Sequence, residues 1–113
     1  MRVLVCGSRD WGDMDVIADR MADLPATCQV LHGAARGADQ MAASIADLFG
    51  MEAFAFPADW EKYGKRAGIL RNLQMLDEQP DLVLAFQRDG SRGTQHTVDE
   101  ARRRGIPVEV HTA

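Results

Sequence analysis

Five short apolar runs alternate along this chain with four stretches of helical periodicity. The runs are Val3–Cys6, Cys28–His32, Ala53–Phe56, Leu82–Phe86 and Ile106–Val110. Three of them are nearly continuous rather than alternating, the pattern of strands covered on both faces of a parallel sheet. Between the first two, Met14, Ile17, Ala18, Met21 and Leu24 share one helical face, and Pro25 ends the segment. Ala38, Met41, Ala42, Ile45, Leu48 and Phe49 keep the same spacing up to Gly50, a helix stop. Ile69, Leu73 and Leu76 mark a third helix before Pro80. A fourth runs from about Thr94 with Val98 and Ala101 facing inward. Its last turn carries Arg102-Arg103-Arg104, which complements the negative end of the helix dipole, and Gly105 and Pro107 close it.

Strict alternation of strand and helix predicts one α/β domain over residues 1–113, a three-layer open parallel sheet with helices on both faces. The expected strand order is 3-2-1-4-5. In such sheets ligands bind outside the carboxyl ends of the strands, where the order reverses. The loops at that edge hold the residues hardest to explain as connectors. They are Gly7-Ser8-Arg9-Asp10-Trp11 after the first strand, Gly33 to Asp39 after the second, Pro57-Ala58-Asp59-Trp60 after the third, and Gly90-Ser91-Arg92-Gly93-Thr94 after the fourth.

Glycine lets backbone amides approach a ligand closely, and a helix starting there adds unpaired donors and a partial positive charge. The 90–94 loop fits best: Gly90 and Gly93 free the backbone, Ser91 and Thr94 offer hydroxyls, and Arg92 can pair with a phosphate oxygen. Gly33, Arg36 and Gly37 make a second cradle. Trp11 and Trp60 lie in the polar loops, as a lid over the core or as a stacking surface for a base. His32 ends a strand, either as a cap or as a ligand contact.

Composition narrows the ligand. A 46% hydrophobic, 27% charged chain of 113 residues is folded and globular, with enough length for one core. No apolar run reaches the roughly 18 residues of a membrane span, and the first residues carry no leader pattern, so a cytoplasmic location without membrane contact is expected. Cys6 and Cys28 sit inside apolar runs and read as reduced core thiols. The histidines and cysteines lack metal-ligand spacing, so neither a metal nor a cofactor is expected. A net charge of −4 opposes a general nucleic-acid or anionic-membrane binder. Arginines interleaved with aspartates suit one small anion.

These motifs, together with Ala67-Gly68, Arg71-Asn72 and Met75, occur in an order that resembles the YspA-like branch of the SLOG superfamily. That superfamily includes the LONELY GUY phosphoribohydrolases and the Rossmann-like domain of the DNA-processing protein DprA. The resemblance implies a Rossmann-like fold that binds nucleotides or nucleotide-derived molecules. The phosphoribohydrolases cut an N-glycosidic bond with an arginine and a glutamate. Their arginine carries over to Arg71, and their phosphate loop to Gly90, Gly93 and Thr94, with Ser91 in place of a glycine. Their glutamate falls on Thr97, so Asp39, Asp59 or Glu100 would have to supply the carboxylate, with Glu100 taken as the catalytic candidate beside Arg71. Ala34 replaces a glycine common in the branch. The first expectation is therefore a nucleotide-binding or sensing module using Gly7, Ser8, Arg9, Trp11, Gly33, Arg36, Gly37, Asp39, Asp59, Trp60, Arg71, Asn72, Gly90, Ser91, Arg92, Gly93 and Thr94. A nucleotide N-glycosidase is the alternative, and a nucleic-acid module ranks below both. A homodimer or higher homo-oligomer is expected from the relatives.

Overall fold

A computed structural model describes all residues, Met1–Ala113. Five parallel strands, β1 (Arg2–Gly7), β2 (Gln29–His32), β3 (Glu52–Ala55), β4 (Leu82–Gln87) and β5 (Val108–Thr112), form one sheet in the order 3-2-1-4-5. The helices are α1 (Met14–Ala22), α2 (Ala38–Leu48), the single turn α3 (Trp60–Tyr63), α4 (Ala67–Asp77) and α5 (Arg92–Arg103). The architecture is an α/β, Rossmann-like fold.

The continuous apolar runs have a direct cause. Val3 and Val5 of β1 and Leu82, Leu84 and Phe86 of β4 belong to one buried cluster with Ile17 and Met21 of α1 and Ala42 and Ile45 of α2. Leu4 and Cys6 of β1 and Val83 and Ala85 of β4 belong to the opposite cluster, with Met75 and Leu76 of α4 and Val98 and Ala101 of α5. Side chains alternate between faces along a strand, so a strand covered on both sides must be apolar at every position. Phe86, Leu4 and Ile17 are fully buried, and burying each such side chain is worth about 1.5–3 kcal/mol. No helix is long and apolar enough to cross a membrane.

Beyond shifts of a residue or so at β2 and β3, three boundaries differ from the pattern for a local reason. The connection after β3 is not a bare loop: Asp59 caps α3, its Oδ1 accepting from the Lys62 amide at 3.1 Å. The last helix begins at Arg92 rather than Thr94, because Ser91 is its cap and Gly93 falls in the first turn. β5 begins at Val108 rather than Ile106. Pro107 has no N–H for the ladder, and its carbonyl instead accepts from Val83 at 2.9 Å. The arginine triplet is anchored locally, as Arg103 and Arg104 pair with Glu100, and Arg104 also with Asp77.

Candidate functional site

The strand order reverses between β1 and β4, and a cleft of about 410 Å³ opens there at their carboxyl ends. Ser8 holds its two sides together. The Ser8 amide donates to the Phe86 carbonyl at 2.9 Å. Its hydroxyl donates to the Arg88 carbonyl at 3.0 Å and accepts from the Arg88 amide at 2.7 Å. The same residue's carbonyl accepts from Trp11 and from Ala38, the first residue of α2. One small buried side chain thus joins the loops after β1 and β4 across a sequence separation of 80 residues.

The wall on the β2 side is a second network. Asp39, buried in the first turn of α2, accepts from the Gly33 amide at 2.9 Å. Burial pushes its carboxyl up to about 6, against the opposing pull of the Gly33 amide and the nearby Arg71. Arg71 of α4 donates through Nη1 to the Gly33 carbonyl at 2.5 Å and through Nε to Asn72 Oδ1 at 3.0 Å. Burial lowers its own pKa. Asn72, itself buried, donates to the Gly93 carbonyl at 3.2 Å. A chain of hydrogen bonds therefore runs from the loop after β2, through α4, to the start of α5.

On the far wall, the start of α5 is only partly satisfied. Ser91 Oγ accepts from the Thr94 amide at 3.4 Å and from Thr94 Oγ1 at 3.0 Å. The Arg92 and Gly93 amides have no acceptor in the protein. A Cβ built on Gly93 would meet nothing within 4 Å, so that glycine opens onto free space. Such a helix start is a favourable place for an anion.

The cleft gathers Gly7, Ser8, Arg9, Asp39, Arg71, Asn72, Ser91, Gly93 and Thr94 from the expected residues. Gly33, Arg36 and Trp60 line an adjoining hollow of about 270 Å³, which shares Arg9, Ala35 and Arg71 with the cleft. Six other expected residues stand apart from both. Trp11 is 3% exposed and packs edge-on against Phe86, with its indole N–H donating to the Asp13 carbonyl, so it belongs to the core. Asp59 is spent on capping α3. Gly37, at φ +75°, lies against the Ser8 and Arg9 carbonyls, and Gly90, at φ +70°, shapes the turn before α5. Arg92 is outside the cleft lining. Glu100 is turned away and held by Arg103 and Arg104, which keep its carboxyl down near 2; it is replaced as the cleft's buried carboxylate by Asp39. His32 accepts from the Ala34 amide at 3.1 Å and lines neither hollow.

Cys6, Asp10, Arg88, Asp89 and Thr97 also line the cleft and were not anticipated as site residues. Thr97 had a signal: it falls one helical turn past Thr94, on the face that Val98 and Ala101 turn inward. Cys6 had the parity of its strand. Arg88 and Asp89 follow β4 directly, but only the αL backbone of Asp89, at φ +54°, turns the chain back toward the cleft. The fold gathers no group of three or more His, Cys, Asp or Glu side chains able to share a metal ion.

The Gene 61 protein of Mycobacterium phage D29 is 43% identical over 116 residues, covering 95% of this chain and 93% of that protein. No solved structure matches the chain. Residues 1–63, which supply β1, the Gly33–Asp39 wall and Trp60, match the model of the YspA, cpYpsA-related SLOG family. With over half its length matched by that model, the chain belongs to the YspA, cpYpsA-related SLOG family.

Proposed function

We propose that the chain binds a nucleotide or nucleotide-derived small molecule in the cleft between β1 and β4, with a phosphate at the start of α5. One arrangement carries this reading: the Arg92 and Gly93 amides lack acceptors beside a cleft into which Arg9, Arg71 and Arg88 bring positive charge. The helix dipole and the open amides favour an anion there, and guanidinium groups pair with phosphate oxygens. The aspartates Asp10, Asp39 and Asp89 line the same cleft and leave it without a large net charge, which suits a small ligand better than a polyanion. The side chain of Arg9 makes no bond within the protein, so its removal reads ligand contact rather than folding. Calorimetry or thermal-shift screening against nucleoside phosphates, ADP-ribose-type compounds and cyclic nucleotides should find saturable binding. Arg9→Ala should weaken it by about tenfold or more, the worth of a charged hydrogen bond. A folded wild-type chain that responds to none of these compounds removes the proposal.

A second reading, hydrolysis of a nucleotide N-glycosidic bond, is favoured by the buried Asp39 carboxyl on the cleft wall near Arg71. A carboxyl near 6 changes protonation close to neutral pH and can serve as acid or base. Incubation with nucleoside monophosphates should then release free base, and Asp39→Asn should slow release by about 100-fold or more. Release at an undiminished rate in that variant would remove Asp39 from the chemistry.

A further inference from the structure

The cleft and the adjoining hollow differ in charge. The cleft sets Arg9, Arg71 and Arg88 against Asp10, Asp39 and Asp89. The hollow is lined by Arg9, Arg36 and Arg71 with no acidic side chain, and Trp60 forms its rim. Neither Arg9 nor Arg36 has a side-chain partner in the protein. Arg71 is balanced by Asp39 on the neighbouring wall, but the unpartnered Arg9 and Arg36 meet no acid in the lining of the hollow, and free guanidinium groups there favour a bound anion. Trp60 is 50% exposed. It opens α3 next to the Asp59 cap, and the edge of its indole lies over Gly68 in the first turn of α4. An exposed ring beside arginines offers a stacking surface.

From these contacts we propose that the hollow is the second compartment of one binding site. It would take the bridging phosphate and second ring of a ligand made of two nucleosides joined through a diphosphate. The first nucleotide unit occupies the cleft, Arg9 and Arg71 sit between the compartments, and the second base lies on Trp60. This inference rests on the nucleotide reading of the cleft.

The test compares affinities by calorimetry. The wild-type chain is titrated with the 5′-monophosphates of adenosine, guanosine, cytidine and uridine, and with the dinucleoside diphosphate of each base. The expected result is that the best dinucleoside diphosphate binds at least about tenfold tighter than its monophosphate, since added charged hydrogen bonds are worth that much. In Arg36→Ala and Trp60→Ala, both exposed positions, that ratio should fall to about one. A monophosphate that binds with a wild-type ratio near one overturns the second compartment while leaving the cleft reading intact, and so does a ratio kept in both variants. A folded wild-type chain that binds neither class overturns the second compartment, and the cleft reading falls with it only if the wider nucleotide screen is also negative. Tighter binding of a 5′-phosphorylated oligonucleotide than of any dinucleoside diphosphate overturns the inference in favour of a polymer.

Discussion

The two glycine-rich loops on the ligand edge have similar composition and opposite physical roles. In the loop after β2, the glycines make room for the protein itself. A Cβ on Gly33 would run into the Arg71 guanidinium and the Asp39 carboxylate, and one on Gly37 would run into the Ser8 and Arg9 carbonyls. In the loop after β4, neither Gly90 nor Gly93 has any atom within 4 Å of such a Cβ. Gly90 serves the backbone at φ +70°, and Gly93 leaves space beside unpaired amides. The first loop is packed scaffold and the second is an open wall. Glycine in a ligand-edge loop therefore has no single meaning, and the neighbouring atoms decide which one applies.

Substitutions can break this contrast. The largest effect is expected for Gly37→Ala, where a methyl group meets backbone rather than a mobile side chain, at a φ of +75°. Overpacking and left-handed strain together should cost about 2–5 kcal/mol in denaturant unfolding. A cost below about 1 kcal/mol would show that the loop is not tightly packed.

Asp39 sharpens the same contrast through pH. Its carboxyl sits near 6 in the folded chain against an ordinary 3.8, so the folded state holds the proton more tightly than the unfolded state. Its contribution to stability therefore declines as pH rises from about 4 to 6 and stays unfavourable above that, by about 3 kcal/mol at 1.36 kcal/mol per unit. Unfolding of wild type and Asp39→Asn followed across pH 4 to 7 should show the difference moving in the variant's favour by about that amount. Parallel curves would mean that the carboxylate is better solvated than its buried position implies.

Smaller effects are expected where space is open. Gly93→Ala lies in the first turn of α5 with free space around it. It should raise stability by about 0.5–1 kcal/mol while weakening ligand affinity, because the new methyl group faces the cleft. Stability and affinity moving together would contradict the open-wall role. Ala34 has a left-handed backbone at φ +58°, which glycine adopts without strain. Ala34→Gly should change the unfolding free energy by less than about 1 kcal/mol, in the stabilising direction, as relieved strain outweighs added chain entropy.

Much of the fold was legible because its signals are local. Periodicity, Pro25, Gly50 and Pro80 delimit the helices, and continuous apolar strands announce a sheet covered on both sides. The site was legible as a set of loops but not residue by residue. Trp11 and Trp60 occupy similar polar loops after strands. Trp11 is core only because Phe86, 75 residues later, arrives beside it, whereas Trp60 finds Gly68 and open solvent. Of the three carboxylates considered, Asp39 alone lines the cleft, for a related reason. Glu100 has the right chemistry in the helix that opens at the cleft, but about 100° per residue turns it off the face that bears Thr94 and Thr97.

By itself, the amino-acid sequence determined the alternation of strand and helix and the loops where unusual residues collect, while the spatial order of the strands was set by long-range pairing. The alternation and the loops follow from side-chain periodicity, which neighbouring residues already specify. Only the tertiary structure decided that Asp39 and Arg71 share one wall, that Arg9 and Arg36 converge on a hollow without acids, and that one tryptophan is exposed and the other buried. Those facts depend on contacts between residues tens of positions apart, and burial and charge at a site are properties of the neighbours that folding brings in.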